Sequence, residues 1–427
     1  MNCRVNHTCW VVLACLETVL FVAGVGYGYQ RYTRFRRERQ PPQPQRTPLH
    51  IGPLYNQPSV VNDEQLSRIL HKLRPSFRGP KPKINYVDHA LRFWGVEASF
   101  ESDDTYSGHE LRELLLDHRV FAEAWGPKAK PFLLPETRDQ QSLLAFRTKA
   151  GQASASHVDH TLAGLAEVGT PIDFPVITPQ GEMPLQAAFE QSLREFSLNQ
   201  EEYEWSTLVY LHYLPQVKGW YTQEGQLVTW DRLAERLMRQ RLALGVCFGQ
   251  HRLHTLTMLL RADETHGLLT EAMRNHVKRH LQDATQRLVH TQHAEGYWDA
   301  SWPGTEWDGE PFKSNNPLGP QADRLLVTGH VLEWWALAPA DCLPEIDVVQ
   351  RAAQWLVREI DTLLPAQVQR YYPFLTHAGR ALALWRGVWP HQVSLPSDKR
   401  SSHELDDSPL SALTPVNAVP PLANAPH

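Results

Sequence analysis

The chain has 427 residues, with 42 Lys and Arg against 47 Asp and Glu, for a formal net charge of −5. This mildly acidic balance, with no basic stripe beyond a short arginine run near the start, excludes a nucleic-acid binder. Of five cysteines only Cys247 and Cys342 lie beyond residue 15, which excludes a disulfide framework.

Residues 9–29 form an apolar run interrupted only by Glu17. About 20 such residues suffice to cross a bilayer as a helix. The run therefore predicts a retained transmembrane helix at 9–29 behind a short segment 1–8, with the membrane as a partner through residues 9–29. A cleaved signal peptide is the competing reading, but Arg4 alone supplies its charged region and the run is long for one. Arg31, Arg34, Arg36, Arg37 and Arg39 follow at once. The positive-inside rule then gives a single-pass membrane protein with its large domain in the cytoplasm. Residues 30–60, basic and then rich in Pro and Gln, read as a semi-rigid linker. Residues 396–427 have the composition of a disordered tail.

Between them, 61–395 reads as an all-α domain of about a dozen helices with no alternating strand pattern. Ser107 and Glu110 have capping-box spacing before Leu111, Leu114 and Leu115. Thr229 caps a segment in which Trp230, Leu233 and Leu237 recur at helical spacing. Residues 270–291 and 346–364 repeat this pattern, and further helices are expected at 62–73, 84–94, 139–148, 156–168, 184–196, 200–214, 250–262, 328–337 and 372–385. Joints rich in Pro and Gly between so many helices suggest consecutive antiparallel pairs.

One motif narrows the architecture. The segment from Leu288 through Gln292 and Gly296 to Trp298 resembles the second half of the Gln-Trp repeat of triterpene cyclases. The resemblance implies an α/α toroid, in which the glutamine bonds backbone at a helix end and the tryptophan stacks over it. It covers about eleven residues, once. The basic-Gly element upstream and the cyclase Asp-Cys-Thr-Ala-Glu and Asp-x-Asp-Asp strings are absent, so cyclase chemistry is not implied. The expected fold class is all-α: one N-terminal transmembrane helix, then a helical-hairpin, toroid-like domain.

Three constellations are candidates for chemistry. Cys247, His251 and His254 share one side if their segment is helical, and thiolate and imidazole are good zinc ligands. Positions seven apart sit about 10 Å apart along a helix axis, too far for Cys247 and His254 to ligate together with ease, whereas Cys247 with His251, or His251 with His254, is feasible as a pair; a break of the helix at Gly245 and Gly249 would instead bring Cys247 closer. Zinc at Cys247 and His251, completed by ligands from other segments, is the metal expectation. The loop 296–321 offers Asp299, Glu306, Asp308 and Glu310 among Trp298, Trp302 and Trp307, a set suited to glycoside hydrolysis. His330 and Glu333, three apart on a helix, form a base-and-orienter pair. The catalytic candidates are His251, Asp299, His330 and Glu333. No nucleotide or flavin fingerprint occurs. The first functional expectation is a membrane-anchored binding or scaffold module for a polymer, lipid or protein. The alternative is a toroidal enzyme acting on a carbohydrate or isoprenoid-like substrate.

Overall fold

The computed structural model of the chain describes residues 16, 18–27, 29, 40–148, 151–304, 314 and 316–396. The first helices are α1 (Asp63–Lys72), α2 (Ile84–Trp94), α3 (Gly108–Leu116) and α4 (His118–Trp125). A hairpin of β1 (Leu133–Arg138) and β2 (Gln141–Phe146) precedes α5 (His160–Glu167). A second pair, β3 (Pro175–Thr178) and β4 (Gly181–Pro184), leads to α6 (Gln186–Glu195) and α7 (Glu204–Tyr213). A third, β5 (Gly219–Tyr221) and β6 (Leu227–Thr229), leads to α8 (Trp230–Arg239). The longer helices follow: α9 (Gln250–His266), α10 (Glu271–Thr291), α11 (Pro320–Leu337), α12 (Ile346–Thr362) and α13 (Pro365–Trp385).

Six of these helices form a closed cycle of neighbours: α2 packs on α5, α5 on α7, α7 on α9, α9 on α11, α11 on α13, and α13 back on α2. Burial patterns explain the division. Every residue of α7 is buried, and α9, α11 and α13 are buried round most of their circumference. Helices apolar on all sides belong inside. By contrast α1, α8 and α12 bury one stripe and lie outside, α12 against α11 and α13, and α8 against α9 and α10. The tightest inner contact is α11 on α13. A Cβ added at Gly329 would sit 2.8 Å from the Ala378 backbone nitrogen, so only glycine permits that approach.

The corner after α10 is stapled by side chains. Gln292 Nε2 donates to the Gly296 and Val348 carbonyls at 3.0 Å each, and Trp298 Nε1 donates to Leu288 O at 2.7 Å. Gly296 turns the chain at φ +109°.

Several expectations need correction. The chain is mostly helical but not all-α, because the described residues include three two-stranded antiparallel hairpins. The helix expected at 139–148 is largely strand β2. Asp139 and Gln140 both adopt positive φ, +50° and +65°, and make the two-residue turn that joins β1 to β2. The N-terminal transmembrane helix is not supported either. Among the described residues no helix is long and apolar enough to cross a membrane. The longest continuous described part of the run, 18–27, spans about 15 Å as a helix, half of a bilayer's hydrocarbon core. The rest of 9–29, apart from residues 16 and 29, lies outside the described residues, as do the arginines at 31–39 and all but the first residue of the expected tail. The single-pass placement, its cytoplasmic domain and the membrane as partner lose their support with the helix. The described part of the linker is not a free spacer: Gln45 N and Leu49 N donate to Tyr213 O and His212 O, and Gln57 N to Trp385 O.

Candidate metal centre and its polar support

The inner helices gather their N-terminal ends at one mouth. The Trp205 ring, near the start of α7, lies 4.4 Å from both the His160 ring, at the start of α5, and the His251 ring, near the start of α9. Just before α9 the backbone is strained. Cys247, Phe248 and Gly249 follow one another at φ +51°, +55° and +79°. Two consecutive non-glycine residues in the left-handed region cost of order 1–3 kcal/mol each. Trp302 Nε1 holds the turn by donating to Phe248 O at 3.0 Å.

That turn brings Cys247 out of helical register and beside His251. The Cys247 Sγ and one ring nitrogen each of His251 and His330 lie within 4.8 Å of one another, a possible metal site. The two Nε2 atoms are 3.1 Å apart. His330 Nδ1 donates to the Leu326 carbonyl at 2.7 Å. A carbonyl only accepts, so the neutral ring keeps its proton on Nδ1 and turns the Nε2 lone pair inward. A backbone carbonyl fixing the remote nitrogen is the usual support of a metal-bound histidine. Burial holds His330 down to about 4 and His251 well below its ordinary value, so both rings are neutral at pH 7. Burial pushes the Cys247 thiol up. His254, the third member of the expected trio, points elsewhere: its Nε2 lies 3.4 Å from Arg92.

One helical turn further in lies a closed set of buried charges. Arg92 on α2 bonds Glu167 on α5 at 2.6 Å and Glu333 on α11 at 2.7 Å. Arg380 on α13 bonds Glu167 at 2.5 Å and also Glu333. Two cations and two anions make the set neutral. Burial raises the Glu333 carboxyl, but Arg92, His377 and Arg380 outweigh it and hold it well below the usual range. Burial acts likewise on Glu167, and Arg380 and Arg92 bring it to about 2.

The expected His330–Glu333 pair is not formed. Glu333 instead accepts from His377 Nδ1 at 2.6 Å, and the His377 ring stacks on His330 at 3.6 Å. His377, Arg380, Arg92 and Glu167 were missed by sequence reasoning, although a signal exists. Four inner helices carry histidine followed three residues later by a polar partner: His89 and Arg92, His251 and His254, His330 and Glu333, His377 and Arg380.

Asp299 does not join this centre. It accepts from the Ser301 hydroxyl at 2.6 Å and lies 3.3 Å from His293, so the structure uses it within its own loop. Glu306, Trp307, Asp308 and Glu310 lie outside the described residues. Cys247 and Cys342 are both free.

Comparison with known proteins gives no match: no family model, no curated protein and no solved structure is similar to this chain.

Proposed function

We propose that this protein is a zinc-dependent enzyme built on an α/α toroid, with Cys247, His251 and His330 as the metal's ligands and a fourth position left for water or substrate. The observation that carries the reading is the locked His330 ring, whose Nε2 accepts from His251 Nε2–H at 3.1 Å beside a thiol, so that a bound metal would take the place of that one shared proton. Tetrahedral zinc with Zn–N near 2.05 Å and Zn–S near 2.3 Å needs N···N and N···S separations of about 3.3 and 3.6 Å. The nitrogens, 3.1 Å apart, nearly meet the first, and the sulfur, within 4.8 Å of both, needs to approach by at most about 1.2 Å to meet the second. Three protein ligands with one open position is the catalytic rather than the structural pattern.

A bound zinc would supply Lewis acidity and an activated water. The chain's own residues do the rest. Leu326 O orients His330, the strained turn presents Cys247, and Trp205 packs against His251 and keeps its imidazole in place. His377, oriented by Glu333, stacks on His330 and stiffens that ligand from behind. A carbohydrate substrate is favoured over an isoprenoid-like one because so polar an interior suits a hydroxyl-rich ligand better than a hydrocarbon. A pure scaffold gives no reason for buried ligand-type donors held on strained backbone.

Metal analysis of the purified full chain tests the proposal. One zinc per chain is expected, with loss in Cys247→Ser and in His330→Ala. Replacement by cobalt is expected to give a thiolate charge-transfer band that disappears in Cys247→Ser. A folded wild-type chain that takes up neither metal refutes the reading.

A further inference from the structure

The mouth over that centre, taken as catalytic, has a charge character of its own. Two adjoining hollows share Lys83 and Gln152: one of about 530 Å³ at the N-terminal ends of α2, α11 and α13, and one of about 400 Å³ between the start of α2 and residues 151–156. The larger is lined by Lys81, Lys83 and Arg370 together with Phe77 and Tyr86. Among the described residues no Asp or Glu lines either hollow. All three cations are exposed. The Lys83 ammonium sits 4.7 Å above the Tyr86 ring and the Arg370 guanidinium 5.8 Å from Tyr371, so aromatic faces hold these charges out toward solvent. On a chain of net charge −5 this is a local reversal of sign.

We propose that this groove seats an acidic glycan, its uronate carboxylates facing Lys81, Lys83 and Arg370 and a sugar ring lying against Phe77 and Tyr86. Three features select this ligand. Paired hollows that open to solvent suit a stretch of polymer better than a small enclosed ligand. Three cations, all on the larger hollow with Lys83 shared by the smaller, are few enough to match one charge per sugar, whereas duplex DNA carries one per ~1.7 Å and calls for a denser basic track. Rings interleaved with the cations meet the apolar faces of sugars while the lysines meet their carboxylates. The groove thereby gives the substrate class of the zinc centre, and the assignment of that class rests on the catalytic reading of the centre.

Binding of polygalacturonate, dextran and poly(dT) to the zinc-loaded full chain tests this by affinity electrophoresis. The wild type should bind polygalacturonate, weaken as salt is raised, and ignore dextran. The variant Lys81→Glu/Lys83→Glu/Arg370→Glu should bind at least about ten-fold more weakly, with its thermal melt and zinc content unchanged. No polygalacturonate binding by the wild type, equal binding by the triple variant, or poly(dT) bound as tightly would each overturn the proposal. The Cys247→Ser chain separates the two readings: glycan binding that survives loss of zinc upholds the groove, and a wild type that binds glycan but no zinc fails the centre alone.

Discussion

In the buried set at the centre of the helical cycle, removing one charge together with its partner should cost less than the two removals taken separately. Glu333 accepts from Arg92, Arg380 and His377 and is 2% exposed. Glu333→Gln keeps the shape but leaves Arg92 and Arg380 facing Glu167 alone, a net positive charge on side chains that are nearly fully buried. Breaking one partner of a buried pair costs about 3–5 kcal/mol, chiefly as the penalty of the orphaned charge. For about 350 ordered residues the unfolding entropy near the midpoint is roughly 0.7 kcal/mol per kelvin, so the melt should fall by roughly 4–7 °C. Adding Arg380→Met restores neutrality, with Arg92 and Glu167 still bonded at 2.6 Å. The double variant should therefore lose clearly less than the sum of its two single variants. Calorimetric melts and urea titrations of the four proteins measure the coupling. A Glu333→Gln melt within about 1 °C of wild type, or strict additivity in the double variant, refutes the account.

Two further predictions follow from the same interior. Burial holds His89 and His160 down to about 3 and His254 and His330 to about 4, while it raises Asp88 to about 7. At pH 5 the unfolded chain thus binds four more protons on these histidines and one fewer on Asp88. Stability of the metal-free chain should fall as pH drops below 6.5, by roughly 4 kcal/mol per pH unit near pH 5; flat urea midpoints between pH 6.5 and 5 would contradict it. Gly329→Ala should cost about 1–3 kcal/mol by wedging α11 off α13 and should lower zinc content by displacing His330. An unchanged melt would mean the helices separate without strain.

The outer shell was the more legible part of the fold. The Ser107 and Thr229 caps sit where their side chains announce them, since capping is local chemistry. The Gln292–Gly296–Trp298 corner was legible for the same reason, since the bonds of Gln292 to Gly296 O and of Trp298 to Leu288 O that make the turn span ten residues or fewer. The β1–β2 hairpin was not. Nothing in Asp139-Gln140 announces positive φ in the way that Asn-Gly would, and Leu143-Leu144 breaks the alternation of a half-buried strand. Helices α11 and α13 were read too short because they are buried on nearly every side, which erases the amphipathic period. Cys247, His251 and His330 were each singled out, but Cys247 and His330 are 83 residues apart in sequence, and only the packing of α9 on α11 joins them.

The arrangement of the interior argues against a role in stability alone. Buried ion pairs seldom stabilise a fold more than apolar residues of the same volume would. Here the inner helices spend their central positions on two stacked polar layers. The layer nearer the mouth is imidazole and thiol, neutral and aimed at a common point. The layer beneath it is the neutral set of two arginines and two glutamates, bound to the upper layer through His377, which Glu333 meets at 2.6 Å and Arg92 at 3.4 Å. The lower layer therefore acts as a rigid floor. It fixes His377 by a charged hydrogen bond, and His377 in turn limits how far the His330 ring can tilt. A ligand set for a metal needs its nitrogens held to within a few tenths of an ångström, and apolar packing alone leaves an imidazole free to rotate about χ2. The costly charges are where that demand is greatest. If they serve it, charge-balanced apolar replacement of all four should raise the melt while reducing zinc occupancy, and a replacement that raises both would leave the floor without a function.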